Sequence, residues 1–266
     1  MKIHYAIIGD PVEHSRSPEL YAPMFDSVGI DAEFLRLCVK KEEIGNIREL
    51  IRQHRLSGFA VTMPHKRAIM DYLDEISIEA HNAGSVNIVS VERGHIMSEP
   101  KLVGYNTDGD GLIAALNEVG VNIAGKSIAI LGNGGAAAGA KEAIIRNGGN
   151  IVTLIRHDGL SLNRVLKDSY DILMNCDVLI NSTPLGMKGY PEFESFEFLN
   201  MLKPTAVIAD MVYASAVHSC LIDSTQLVYE AKKRRLISFS GDRMLLHQGL
   251  IAFKLWTGYD LSHIIT

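Results

Sequence analysis

Ser127-Ile128-Ala129-Ile130-Leu131-Gly132-Asn133-Gly134-Gly135-Ala136-Ala137-Ala138-Gly139-Ala140 is the stretch around which the rest of this chain is arranged. Its first five residues run as a buried strand runs, and the small residues and helix formers after the glycines continue to about Asn147. The pattern is strand, tight turn, helix. Gly132 permits the turn, Gly134 lets the backbone approach a pyrophosphate, and the small Ala137 stands where a close helix–strand contact is wanted. Phosphates would rest on the open N–H groups and the positive end of the helix dipole. Glycine after a strand is also plain turn chemistry. The strand before it, the helix after it and a further strand over Ile151 to Ile155 favour a dinucleotide site.

A length of 266 residues exceeds one typical core and suits two domains, at roughly 150 residues each. The net charge of −5 gives no general attraction to a polyanion, so nucleic acid is not an expected partner, and an anionic ligand needs a local basic pocket. Cys38, Cys176 and Cys220 show no C-x-x-C pairing and read as reduced, mostly buried thiols. Met1 to Ile8 is too short for a secretory apolar region, and no run approaches the ~18 apolar residues of a membrane span. A cytoplasmic protein is expected. The histidines carry no H-E-x-x-H or other ligand spacing, so no metal is implied and His65 reads as a loop residue.

In the first half, Tyr5 to Ile8 reads as a strand, followed by a loop and a helix from Pro18 to about Val28 with Ser17 as its N-cap. Ser15 lies outside that cap. The two hydroxyls, with Tyr21 one turn further on, are able to hold a carboxylate, although capping alone accounts for Ser17. Ala32 to Val39 reads as a strand, and Lys41 to His54 as an amphipathic helix with Ile44, Ile47, Leu50 and Ile51 at helical spacing. A third strand, Gly58 to Thr62, stops at Pro64 and leaves Lys66 just past a strand end, at a helix N-terminus where a cation is mildly disfavoured. Ser85 to Val91 is another strand; its Asn87 either satisfies backbone locally or points its amide into a cleft. Asp108 is placed as the N-cap of a helix to about Val119, with Asp110 an ordinary first-turn acid.

Beyond the glycine turn, Arg156-His157-Asp158 follows the second strand of the nucleotide half. An acid there favours NAD through the ribose hydroxyls and an arginine favours the 2′-phosphate of NADP. Val178 to Asn181 and Ala206 to Asp210 read as further strands, joined by a long loop from Ser182 through Met187 and Tyr190-Pro191. Ser182 and Thr183 are also ordinary turn formers. A helix from about Ser219 to Arg234 ends in Lys232-Lys233-Arg234-Arg235, cations that offset the helix dipole. Leu236 to Phe239 is a last strand. Arg243 to Thr257 is a strong helix with Leu245, Gln248, Ile251 and Leu255 on or near one face, where the amide of Gln248 is out of place on a purely structural surface.

Six signatures occur in order. They are Gly9-x-Pro11 with Ser15-x-Ser17-Pro18; Val61-Thr62-x-Pro64-His65-Lys66; Val86-Asn87; Gly104-Tyr105-Asn106-Thr107-Asp108-Gly109; Asn181-Ser182-Thr183-Pro184-x-Gly186-Met187; and Met244-Leu245-x-x-Gln248 with Trp256-Thr257-Gly258. Together they resemble the shikimate dehydrogenase family over nearly the whole chain. The resemblance implies an α/β protein of two domains. Residues 1–105 plus 242–266 would form the substrate domain, and 106–241 a Rossmann-like NAD(P) domain, with the C-terminal helices returning to the first.

By the same resemblance the protein is an NADP-dependent oxidoreductase that reduces 3-dehydroshikimate reversibly to shikimate, on the route to chorismate and the aromatic amino acids. Lys66 and Asp108 would manage the proton. Ser15 and Ser17 would take the carboxylate, Thr62, Asn87, Asp108 and Gln248 the hydroxyls, and Tyr213 would stand near the substrate. Gly132, Asn133, Gly134, Gly135, Ala136, Arg156, Thr183, Met187 and Gly241 would hold the cofactor. The chain departs from the family pattern at Ala60, at Ser85 and Ile88 beside Asn87, at Ile155 and His157 around Arg156, and at Ala214-Ser215 after Tyr213. Asp158 leaves NAD or dual use open, and the changes at Ala60, Ser85 and Ile88 leave room for quinate. A ligand-binding paralogue without turnover is the remaining alternative, against which the joint presence of Lys66, Asp108 and Gln248 argues. Monomer and homodimer are both compatible with the sequence.

Overall fold

The computed structural model describes residues 2–94, 99–154, 162–187, 189–213 and 224–265. In chain order the elements are β1 (Ile3–Gly9), α1 (Ser17–Ser27), β2 (Ala32–Cys38), α2 (Ile47–His54), β3 (Leu56–Val61), β4 (Glu75–Ile76), α3 (Ile78–Ala83), β5 (Ile88–Glu92) and β6 (Lys101–Tyr105). They continue with α4 (Asp108–Glu118), β7 (Ser127–Leu131), α5 (Gly135–Arg146), β8 (Asn150–Leu154), α6 (Leu162–Asp168), α7 (Tyr170–Asn175), β9 (Val178–Asn181), β10 (Val207–Asp210), α8 (Gln226–Lys233), β11 (Ile237–Phe239) and α9 (Gly241–Thr257). Two compact units divide the chain: Met1–Asp108 with Leu246–Thr266, and Gly109–Leu245.

The first unit is built on a six-stranded sheet ordered β2-β1-β3-β5-β6-β4. β1 is parallel to β2 and β3, whereas β5 runs antiparallel to β3 and β6. Alternation along β1 sends Ala6 and Ile8 into one apolar layer and Tyr5 and Ile7 into the other, so both faces of the sheet are covered. The second half of α9 supplies Leu250, Ala252 and Phe253 to that second layer. Trp256 donates its indole N–H to the Val89 carbonyl at 3.0 Å and lies against Gly58, where a Cβ would come within 2.5 Å of its Nε1.

A five-stranded parallel sheet, β11-β10-β9-β7-β8, forms the second unit. Along β7, Ala129 and Leu131 enter one core and Ile128 and Ile130 the other, the pattern of a strand buried on both faces. Ala137 on α5 is fully buried in the layer with Ile128 and Ile130, which explains the small residue there.

Both sheets place a first strand between its successor and a later strand, β2-β1-β3 in one and β8-β7-β9 in the other. The chain therefore reverses direction of travel across the sheet beside β1 and again beside β7. Loops leaving the carboxyl ends of the two strands at such a point diverge and leave a crevice, the usual ligand position in open α/β sheets. The fold thus nominates two sites before any side chain is considered.

Several local expectations need correction. Ser17 is the first residue of α1, with Arg16 at the cap position and no side-chain cap; the Ser15 hydroxyl accepts from the Ser17 N–H at 3.3 Å. Residues 41–54 are not one helix: Lys41–Asn46 is a 3₁₀ turn and α2 begins at Ile47. Lys66 lies in a turn before the short 3₁₀ segment Ala68–Tyr72, not at a helix N-terminus. Ser85, Val86 and Asn87 precede β5. Asp108 begins α4 and is not its cap; its N–H is accepted by the Asn106 side chain at 3.2 Å. Cys38 is exposed, whereas Cys176 is buried. On α9 the buried face runs through Met244, Gln248 and Ala252, and Leu255 is exposed. α8 starts at Gln226, capped by Thr225, and the expected residues 219–223 lie outside the described set. Among the described residues no helix is long and apolar enough to cross a membrane.

Candidate active site

In the first unit the carboxyl ends of β1, β3 and β6 and the amino end of the antiparallel β5 share one edge of the sheet. Residues distant in sequence therefore meet there. Lys66 comes from the turn after β3, Asn87 from the bend before β5, Thr107 and Asp108 from the end of β6, and Gln248 from α9. The backbone clamps these turns together: Val86 N–H donates to the Lys66 carbonyl at 2.7 Å, Asn87 N–H to Tyr105 at 3.0 Å, and Val61 N–H to Asn87 at 2.7 Å.

Within that frame the Lys66 ammonium is hydrogen-bonded to Asp108 Oδ2. Their side chains are 15% and 8% exposed, so the pair is largely out of water. The other oxygen, Asp108 Oδ1, accepts from Asn87 Nδ2 at 2.9 Å. Asn87 also donates to Thr107 Oγ1 at 3.0 Å and toward Gln248 Oε1 at 3.4 Å, while its own Oδ1 accepts the Thr107 N–H at 2.8 Å. Thr107 in turn donates to Gln248 Oε1 at 3.2 Å. Asn87 thus serves the backbone with its oxygen, as one of the two expectations had it, and the Asp108 carboxylate with its amide. A largely buried ammonium paired with a buried carboxylate, whose other oxygen a neutral amide holds, is an arrangement suited to proton transfer.

Ser15 and Ser17, both buried, share a hydrogen bond of 3.1 Å between their hydroxyls. Arg36 on β2 holds their loop from the sheet side: its Nε and Nη2 donate to the Ser15 carbonyl at 2.8 and 2.6 Å, and it pairs with Glu19. That guanidinium keeps the Glu19 carboxyl below the usual range. One turn beyond Ser17, Tyr21 is fully buried beside Gln248, and burial pushes its phenol well up. Thr62 is half-buried, its N–H donated to Ile8 across the β1–β3 junction at 2.9 Å.

In the second unit Gly132 has φ +101°, a conformation that favours glycine, and a Cβ there would come within 2.9 Å of Ser182 Oγ. Gly134 caps α5 without a side chain, and nothing lies within 4 Å of where its Cβ would be. Open space in front of a bare helix N-terminus at the β7–β9 reversal is what a pyrophosphate needs, so these residues fit a dinucleotide. Gly135 and Ala136 continue into the first turn of α5, and Asn133 accepts from Lys141 Nζ at 2.6 Å.

A family model described as the shikimate dehydrogenase substrate binding domain matches residues 7–89. Over 264 residues the chain is 34% identical to the shikimate dehydrogenase (NADP(+)) of Staphylococcus aureus (strain bovine RF122 / ET3-1), covering 96% of this chain and 93% of the relative. The chain belongs to the shikimate dehydrogenase family. It is accordingly an oxidoreductase. The shikimate dehydrogenase of Aquifex aeolicus superposes with a TM-score of 0.83 at 28% identity, covering 99% of this chain and 96% of that one. A crystal structure of shikimate 5-dehydrogenase from Listeria monocytogenes, in complex with shikimate and NAD, gives 0.79 at 27% identity, covering 100% and 96%.

The structure brings Lys66, Asp108, Asn87 and Gln248 into one network. Thr107 belongs to it and escaped the sequence reading, although it stands beside Asp108 in the quoted signature. Thr183 lies against the glycine turn, a Cβ on Gly132 meeting its Cγ2 at 3.0 Å, and Met187 closes the same loop through its N–H to Pro184. Gly241 has a packing reason for being glycine, since a Cβ would run into the backbone of Met211 and Val212. Tyr213 is half-buried just after β10. Arg156, with His157 and Asp158, lies outside the described residues, as does Ala214-Ser215.

Proposed function

We propose that the protein reduces 3-dehydroshikimate reversibly to shikimate with NADP, Lys66 and Asp108 managing the proton. The observation that carries this reading is the buried Lys66–Asp108 pair, steadied by Asn87 at the carboxyl edge of the first sheet. When bound, the dinucleotide supplies a hydride to the ring ketone carbon. Negative charge then grows on the ketone oxygen, and the Lys66 ammonium stabilises it and delivers the proton. Asp108 keeps the ammonium in place and accepts from an adjacent substrate hydroxyl.

Ser15 and Ser17 take the carboxylate with hydroxyls already turned toward each other. Thr62, Asn87 and Gln248 read the ring hydroxyls, and Tyr213 is a further substrate residue. Such fixed polar groups, left unpaired by a wrong ring, discriminate strongly. Gly132, Asn133, Gly134, Gly135 and Ala136 cradle the phosphates, Thr183, Met187 and Gly241 line the dinucleotide, and Arg156 takes the 2′-phosphate.

Lys66→Ala is expected to abolish turnover while NADP still binds; a rate near the wild-type value would refute the assignment. A second reading, NAD use with shikimate or quinate, is favoured by Asp158 two residues beyond Arg156. Initial rates with shikimate and quinate, each against NADP and NAD, decide between the readings. Binding without a rate for any pair would point to a paralogue that does not turn over.

A further inference from the structure

We propose that Asp210 is a positioning residue for the dinucleotide, acting through Asn181 on the turn that borders the glycine loop. The inference rests on reading the second unit as the dinucleotide unit. Asp210 ends β10 and Asn181 ends β9, and the two residues are directly paired across the parallel ladder. Both are almost completely buried, at 2% and 0% exposure.

The Asp210 carboxylate joins three segments. Its Oδ1 accepts from Asn181 Nδ2 at 2.9 Å and from the Val212 N–H at 3.1 Å, and its Oδ2 accepts from the Thr225 hydroxyl at 2.6 Å. Thr225 also caps α8, so the helix start is tied to the same group. A carboxylate is acceptor-only, and an amide has one donor end and one acceptor end. Asp210 therefore dictates how the Asn181 amide lies: nitrogen toward the carboxylate, oxygen toward the turn. That oxygen accepts the Thr183 N–H at 3.1 Å and the Thr183 hydroxyl at 2.6 Å. Thr183 and Ser182 are in turn the groups that a Cβ on Gly132 would strike.

The chain of contacts runs without a gap from Asp210 through Asn181 and Thr183 to the glycine turn. Burial pushes the Asp210 carboxyl up to about 6. A buried carboxylate held against that penalty, where an apolar residue would pack at no such penalty, is explained by the orientation it imposes.

The test measures NADP binding by titration and both Michaelis constants for the wild type, Asp210→Ala and Asp210→Asn. Alanine removes the orienting acceptor. Asparagine keeps it, because its oxygen can face Asn181 and Val212 while its NH2 donates to Thr225. The expected result for Asp210→Ala is NADP affinity weaker by about tenfold, the scale of losing one to two buried hydrogen bonds, with the shikimate constant unchanged. Asp210→Asn should restore most of the affinity. Equal losses for NADP and shikimate, an unaltered NADP affinity in the alanine variant, or no rescue by asparagine would each overturn the proposal. If Asp210→Ala does not fold, Asn181→Leu removes the relay instead, and the same selective loss is expected. A wild type that turns over and binds NADP while the variants match it defeats only this inference. A wild type that binds neither NADP nor NAD defeats the dinucleotide reading and the inference with it.

Discussion

Asp108→Asn puts the proposed proton-handling pair to the hardest test. Asp108 accepts from two donors, Lys66 at Oδ2 and Asn87 at Oδ1. An amide offers one acceptor, so in either orientation its NH2 group faces a donor. If it faces Lys66, the ammonium also loses its counter-charge. Breaking a buried ion pair from one side costs about 3–5 kcal/mol, and the 15% exposure of Lys66 places this case near the lower end. The first unit should therefore lose about 3 kcal/mol of stability. Turnover should fall by about 10²–10³, because the general acid is no longer aimed.

The assay is convenient because Trp256 is the only tryptophan and lies in the first unit, packed on Tyr5 and Tyr21. Urea unfolding followed by its fluorescence reports on the unit that holds the pair. Lys66→Met and the double variant complete a cycle, and removing both charges should recover about 2 kcal/mol relative to the sum of the single losses. A coupling below about 0.5 kcal/mol, or an Asp108→Asn enzyme within about threefold of the wild-type rate, would refute the reasoning.

Gly134→Val should fold normally, since nothing lies within 4 Å of the new Cβ, yet raise the NADP constant by about tenfold or more by filling the space for phosphate. Gly132→Ala should do the opposite kind of damage, costing about 1–3 kcal/mol in thermal unfolding through its φ of +101°. Arg36→Met frees the Ser15 carbonyl and should raise the shikimate constant several-fold, with the NADP constant unmoved. The Asp210 carboxyl, raised to about 6 in the folded protein from 3.8, binds its proton more readily folded than unfolded. Its contribution is therefore complete below about pH 4 and is lost as pH rises through about 6. Wild type should gain about 1 kcal/mol over Asp210→Asn between about pH 7.5 and pH 5 in paired denaturation curves.

Much of this molecule was legible along the chain because its signals are local. β7 was read to its end residues, since a strand buried on both faces is a continuous apolar run, and Gly132 announced a turn that its positive φ requires. Lys66, Asp108 and Gln248 stood out through the family signatures. The failures share a cause. Ser17 is the first helical residue and Arg16 holds the cap position expected of it, and the helix expected over 41–54 breaks near Gly45, because periodicity does not resolve hydrogen-bond partners at element ends. Leu255, expected on or near the face that carries Gln248, is exposed, because helical spacing alone does not say which stripe meets the core.

The sequence by itself determined the two α/β units and the glycine turn, and nominated the polar groups proposed to do chemistry. Each of these depends on neighbours a few residues away. Only the tertiary structure decided that β1 lies between β2 and β3, and β7 between β8 and β9, the strand-order reversals beside which open α/β sheets bind ligands. It also decided that Asn87 bonds Asp108, that Thr107 joins them to Gln248, and that Asp210 orients Asn181. The physical reason is that a buried polar atom must find a partner wherever the fold brings one, and strand order, not sequence distance, sets which partner that is.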